Sequence, residues 1–173
     1  VNEDKKILFD VNGYNVQTGN DINNNGTLEI INSNEARGRI ESSHSIINNG
    51  LLKLSKVKVE GNSNAAIVIN NKDLEMVSST IKGSTGYGVS ANESTGTIKM
   101  DDTSLISSTS NAGLNISKDV TQTITNDNIS SDKSNAIYNQ YGVLVLDGVT
   151  STSTSGASVY NSGGTITINS GTY

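Results

Sequence analysis

The sequence predicts an all-β fold, a single-stranded parallel β-helix (solenoid) of about eight coils, each of about 22 residues with three short strands. Pairs of apolar residues separated by one residue recur along the whole chain at a nearly constant step. Within each segment the local period is 2, with β-branched residues, Asn/Gly/Ser turns and no helical 3.6 spacing. Composition narrows the choice. Hydrophobic residues make up only 33% of the 173, below the roughly 45–50% usual for globular domains. So few apolar side chains bury a core only if they are placed regularly.

The pairs mark the first strand of each coil. They are Ile7/Phe9, Leu28/Ile30, Leu52/Leu54, Leu74/Met76, Ile98/Met100, Gln122/Ile124, Leu144/Leu146 and Ile166/Ile168. Their first members lie 21, 24, 22, 24, 24, 22 and 22 residues apart. A unit of this size cannot bury one face alone and must stack on its neighbours. Seven steps of ~4.8 Å give a rod about 34 Å long. The second strand is marked by Tyr14, Val59, Ile81, Leu105, Ile129 and Tyr173, with Glu35 and Ser151 as polar members. The third is marked by Ile22, Ile46, Ile67, Val89, Leu114, Ile137 and Val159. Glu35 and the "ARGRIESSH" that follows it indicate a small insertion in the second unit.

Two further columns check this register. The residue inside each first-strand pair faces outward, and that column reads Leu8, Glu29, Lys53, Glu75, Lys99, Thr123, Val145, Thr167. Opposite charges on adjacent strands attract by roughly 0.2–1 kcal/mol, and a one-residue slip would turn these charges inward. The turn after the third strand reads Asn25, Asn49, Asn70, Asn92, Ser117, Gln140, Ser162. Side-chain amides stacked in this way bond along the array. Gln122 stands at an inward position that is apolar in every other coil. A leucine-rich repeat has a similar period, but the remaining half of each unit is Ser/Thr/Gly-rich and carries no helical stripe.

Net charge is −5 and the pI is about 4.8. Nucleic acid and anionic membranes reward clustered Lys and Arg, so neither is an expected partner. No run approaches the ~18 apolar residues of a membrane span. There is no cysteine, hence no disulfide framework or thiolate metal site. Val1 in place of a start Met, with no signal peptide, suggests one domain over residues 1–173 excised from a longer repetitive protein.

Units such as "NAIYNQYGVLVLDGVTSTSTSGASVYNSGGTITINSGTY" resemble the repeats of right-handed, pectin-lyase-like β-helix domains in large bacterial surface proteins. The resemblance covers Ile7 to Tyr173 and is one of repeat style, not of a catalytic motif. It implies a right-handed coil and a passive adhesive or stalk module at the bacterial cell surface, extracellular. Carbohydrate or a host surface ligand is then the expected partner, with end-to-end or neighbouring-domain contacts also open. No cofactor is expected.

Three groups are candidates for function. Tyr138 and Tyr160 should stack on successive coils of the outward third-strand column, which reads Asn23, Ile47, Val68, Ser90, Asn115, Tyr138, Tyr160, with Tyr141 close by. Aromatic faces grip sugar rings and partner surfaces. Arg37, Arg39, Glu41 and His44 gather the only His with both Arg residues near the insertion. They are the place for the alternative reading, a polysaccharide lyase or glycoside hydrolase, which needs carboxylates facing one groove. Asp101, Asp102, Asp127 and Asp147 fall near one turn of neighbouring coils. Carboxylates there could hold Ca²⁺, but the turns are otherwise Ser, Thr and Asn and no metal site is expected.

Overall fold

The computed structural model describes residues 1–34, 38–62, 66–92, 95–101, 103–117 and 119–173. The chain winds as a parallel β-solenoid. Its first stack of strands runs through Lys6–Asp10, Thr27–Ile31, Leu51–Ser55, Asp73–Val77, Thr95–Met100 and Thr121–Thr125. It continues into the C-terminal halves of Ile137–Asp147 and Val159–Ile168. The third stack runs through Ile22–Asn24, Ile46–Asn48, Val68–Asn70, Val89–Ala91 and Leu114–Ile116 into the N-terminal parts of those same two long strands. The two stacks therefore merge into one 13-stranded sheet. The second stack, from Asn15–Thr18 to Gly171–Thr172, is a separate 8-stranded sheet. Eight rungs make seven turns.

Burial follows the alternation within each short strand. Leu28, Ile30, Leu52, Leu54, Leu74 and Met76 point inward and are at most 5% exposed. In the second stack Ile40, Val59, Ile81, Ile106 and Ile129 form one continuous buried column. Each such side chain contributes roughly 1.5–3 kcal/mol by leaving water. The inward residues of the end coils have a neighbour on one side only, so Ile7 is 47% and Ile168 52% exposed.

Several expected positions shift, each for a local reason. Tyr14 is 71% exposed, and Val16 takes its column. The turn before it, with positive φ at Asn12 and Gly13 and Tyr14 N donating to Val11 O, is two residues longer than supposed. Ile106 replaces Leu105 because the corner after Met100 has one residue more. Val68, expected outward, is inward and pairs with Ile46 and Val89; Ile69 takes the outward place. Glu35 lies outside the described residues, and Ile40 fills that rung.

The largest departure is between coils five and six. Leu74 pairs with Ile98 as expected. Ile98 then pairs with Ile124, and Gly96 with Gln122. The first strand thus slips by two residues, which keeps inward residues inward. Gln122 is buried at 2% exposure as expected, beside a residue with no side chain on the preceding rung and Leu144 on the next. Its Nε2 has no hydrogen-bond partner. The slip also carries the charged column from Lys99 to Thr125 and Asp147. Before the slip the alternation holds, and Lys53 Nζ lies 2.6 Å from Glu75 Oε2.

Asparagines form two ladders where one was expected. In the inner one Asn24 Nδ2 donates to Asn48 Oδ1 and Asn48 Nδ2 to Asn70 Oδ1, both at 2.7 Å. All three residues are fully buried. Each amide also donates to a turn carbonyl, of Leu51, Asp73 and Lys72 respectively. Asn70 belongs to this ladder, so Asn71 replaces it in the outer one, Asn25–Asn49–Asn71, linked at 2.9 and 2.7 Å. A buried amide stripped of its partners costs roughly 1–3 kcal/mol. Asn48→Ala should therefore destabilise the chain by about 2 kcal/mol in urea denaturation, and Asn49→Ala, at the exposed ladder, by under about 1 kcal/mol. Equal losses at the two positions would contradict the burial assigned to the inner ladder.

Candidate binding face and buried acid

The outward side of the third stack carries an aromatic pair. Tyr138 and Tyr160 occupy the same position on successive rungs. Their ring centroids are 5.6 Å apart and the planes tilt by 47°, inside the range of favourable aromatic pairs. Tyr160 is 48% exposed and Tyr138 half-buried. Tyr87, which the sequence did not single out, lies before the strand Val89–Ala91 and is partly buried. Burial raises its phenol pKa, and nearby Tyr138 raises it further. Toward the preceding coils the column becomes polar and sealed: Asn115 donates to Ser90 Oγ at 2.8 Å, and both are buried. Tyr141 is placed differently. It sits at the corner beyond Asn139 with φ 64° and is 59% exposed. Its ring rests on the next coil at Gly163, where a Cβ would come within 2.2 Å of it.

The Arg/His group does not converge on one groove. Arg37 lies outside the described residues. Arg39 is bound to Glu41 at 2.5 Å and to Glu60 at 3.3 Å, and Lys58 to Glu60 at 2.5 Å. Glu41 and Glu60 are register partners, as are Arg39 and Lys58. Like charges facing each other across a rung repel; Arg39, which bridges Glu41 and Glu60, and Lys58, which pairs with Glu60 in its own strand, offset that. His44 is exposed on the following turn, with Nδ1 3.0 Å from Ser43 Oγ. A cleft of about 620 Å³ is lined by Glu41 and Glu60 with Gln17, Thr18, Ser42 and Ser84 among others, but by neither Arg39 nor His44. Both carboxylates accept from the same guanidinium. Acid–base hydrolysis calls for two carboxyls in unlike surroundings.

The acidic turn divides sharply. Asp102 lies outside the described residues. Asp147 accepts from Ser170 Oγ at 2.8 Å. At Asp101 burial pushes the carboxyl up, but bonds from Ser104, Ser78 and Thr103 outweigh it and hold the pKa below the ordinary value. Asp127 has no such relief. It is 1% exposed and neither carboxylate oxygen has a hydrogen-bond partner. Burial lifts its pKa from 3.8 to about 9, opposed only by the nearby Met100 amide. On the preceding rung stands Ser104, whose hydroxyl already donates to Asp101 at 2.5 Å and accepts from Ser79 N at 3.1 Å. On the following rung stands Val149. Nothing in the run "TNDNIS" shows this, because Asp after Asn reads as an ordinary solvated turn.

No family model matches the chain, and neither a curated protein nor a solved structure does so.

The Asp127 carboxyl has a direct consequence for stability. The unfolded chain releases its proton near pH 3.8, whereas the folded chain keeps it to about pH 9. Between those values the unfolded state binds fewer protons, so this group's contribution falls as pH rises. In chelator-treated buffer the urea midpoint should drop between pH 5 and pH 8.5. Asp127→Asn should be flatter over that range and more stable than the parent at pH 8.5. An unchanged slope in Asp127→Asn would show that the carboxyl is not the source.

Proposed function

We propose that this chain is a non-enzymatic adhesive or stalk module of a bacterial cell-surface protein, built on a right-handed, pectin-lyase-like coil. Carbohydrate is the ligand class that fits its aromatic face. The observation that carries the reading is the Tyr138–Tyr160 pair, with ring centroids 5.6 Å apart and Tyr160 48% exposed on the outward side of the third stack. Aromatic rings present an apolar face to a sugar ring and a hydroxyl at the rim. The register holds both rings before any ligand arrives, so little ordering entropy opposes binding. A rod of seven turns also spaces whatever it joins, by about 34 Å.

A second reading, a carbohydrate-active enzyme, is favoured by the Glu41/Glu60 cleft. The two readings separate in one series of measurements. Soluble glycans screened by array and then titrated should bind the parent chain. Tyr160→Ala and Tyr138→Ala should each weaken binding about tenfold or more, the ~1.4 kcal/mol range of a lost aromatic contact, with the unfolding midpoint of Tyr160→Ala little changed. Glycan binding insensitive to both changes would refute the aromatic face. Turnover of a polysaccharide that Glu41→Gln abolishes would establish the enzymatic reading instead.

A further inference from the structure

We infer that Tyr141 forms a second stacking subsite at the corner of coil seven, and that the ligand is a neutral oligosaccharide reaching from the Tyr138–Tyr160 pair to Tyr141. The inference rests on the carbohydrate reading above and extends it from one stacking point to two. Tyr141 has φ 64°, in the left-handed region that a bulky side chain enters only at a cost. Among the described residues the other non-Gly positions with positive φ are Asp4, Asn12, Lys56, Ser78, Asp119 and Asn126. Tyr141 is the one aromatic in that set. At the matching corner of coil eight the positive φ falls on Gly164, where it costs nothing.

The surrounding residues hold Tyr141 in place. Buried Asn139 closes the turn, its Nδ2 donating to Gly142 O and its Oδ1 accepting from Gly142 N, both at 3.1 Å. The ring rests on Gly163, where an added Cβ would come within 2.2 Å of it. Yet Tyr141 stays 59% exposed. Little apolar area is buried in return for the strain, so packing alone does not account for a tyrosine here. Backbone and ring are fixed before any ligand arrives, which lowers the ordering cost of a stacking contact.

Two features define the ligand. Tyr138 and Tyr141 are three residues apart, so their Cα atoms are separated by at most about 11 Å. Sugar rings in line within one short chain can meet both. The second feature is charge. Residues 137–146 and 159–169 contain no Asp, Glu, Lys, Arg or His. They supply amides and hydroxyls instead, at Gln140, Asn161, Ser162 and Thr165. Val143, 43% exposed, extends the apolar surface past Tyr141. An acidic polysaccharide finds no cation in these segments to offset the loss of its own hydration. A neutral, hydroxyl-rich chain does not need one.

Titration calorimetry with cellohexaose, laminarihexaose, mannohexaose and N-acetylchitohexaose tests this. The best of them should bind the parent about tenfold or more tightly than its own monosaccharide and than hexagalacturonate. Tyr141→Asn keeps the left-handed turn at low cost. It should weaken that hexasaccharide about tenfold, the scale of one lost stacking contact, with the thermal midpoint unchanged or raised. Gly163→Ala should displace the ring and weaken binding in the parent, but not further in Tyr141→Asn. Affinity retained in Tyr141→Asn and lost in Tyr160→Ala overturns the second subsite and leaves the Tyr138–Tyr160 reading standing. Equal affinity for hexasaccharide and monosaccharide also overturns it. No hexasaccharide binding by the parent overturns both.

Discussion

Parallel hydrogen bonding between coils gives each residue the same nearest neighbour, its equivalent one rung away at about 4.8 Å. Every other property of this chain depends on that pairing. It turns a sequence with few apolar residues into a continuous core, since Ile40, Val59, Ile81, Ile106 and Ile129 cover one another. It also dictates what a column tolerates. Amides persist inside because Asn24, Asn48 and Asn70 satisfy one another. Like charges face each other outside at Glu41 and Glu60, where Arg39 bridges both and Lys58 pairs with Glu60.

The same constraint explains what was legible in the sequence. First-strand pairs from Ile7 to Leu74 were readable because a two-residue alternation repeats without interruption. Corners were not. Tyr14 and Leu105 fall on the second column only if every corner has the same length, and these corners differ in length. The slip at Ile98 was hidden for a related reason. A shift of two residues preserves the inward–outward pattern, so Gln122 opposite Ile98 and Gln122 opposite Gly96 look alike in sequence. The sequence shows one ladder of asparagines and conceals the second, because adjacent Asn residues at 24–25 and 48–49 serve inside and outside in turn.

Functional residues divide along the same line. Tyr138 and Tyr160 lie on a strand, where alternation alone makes them outward neighbours, and they are. Tyr141 and His44 lie at corners, where sequence proximity says little about direction. Asp127 is the clearest case. Its burial comes from its inward place between Ser104 one coil earlier and Val149 one coil later, not from anything within its own turn. A solenoid thus keeps its strands uniform and collects exceptions at corners where neighbouring coils differ in length. The buried acid is such an exception at a corner, whereas the aromatic pair sits in regular strand register.

Rung-by-rung stacking is best tested by a distance that only stacking makes short. Gln17 and Thr152 are both exposed on the outward side of the second stack. They are linked through Glu41, Glu60, Lys82, Ser107 and Ser130 in register, six rungs apart. Spin labels at the two positions should give a narrow pulsed-EPR distance distribution centred near about 29 Å. A broad distribution, or a narrow one displaced by more than about one rung spacing, would contradict the stacking on which the rest of the account stands.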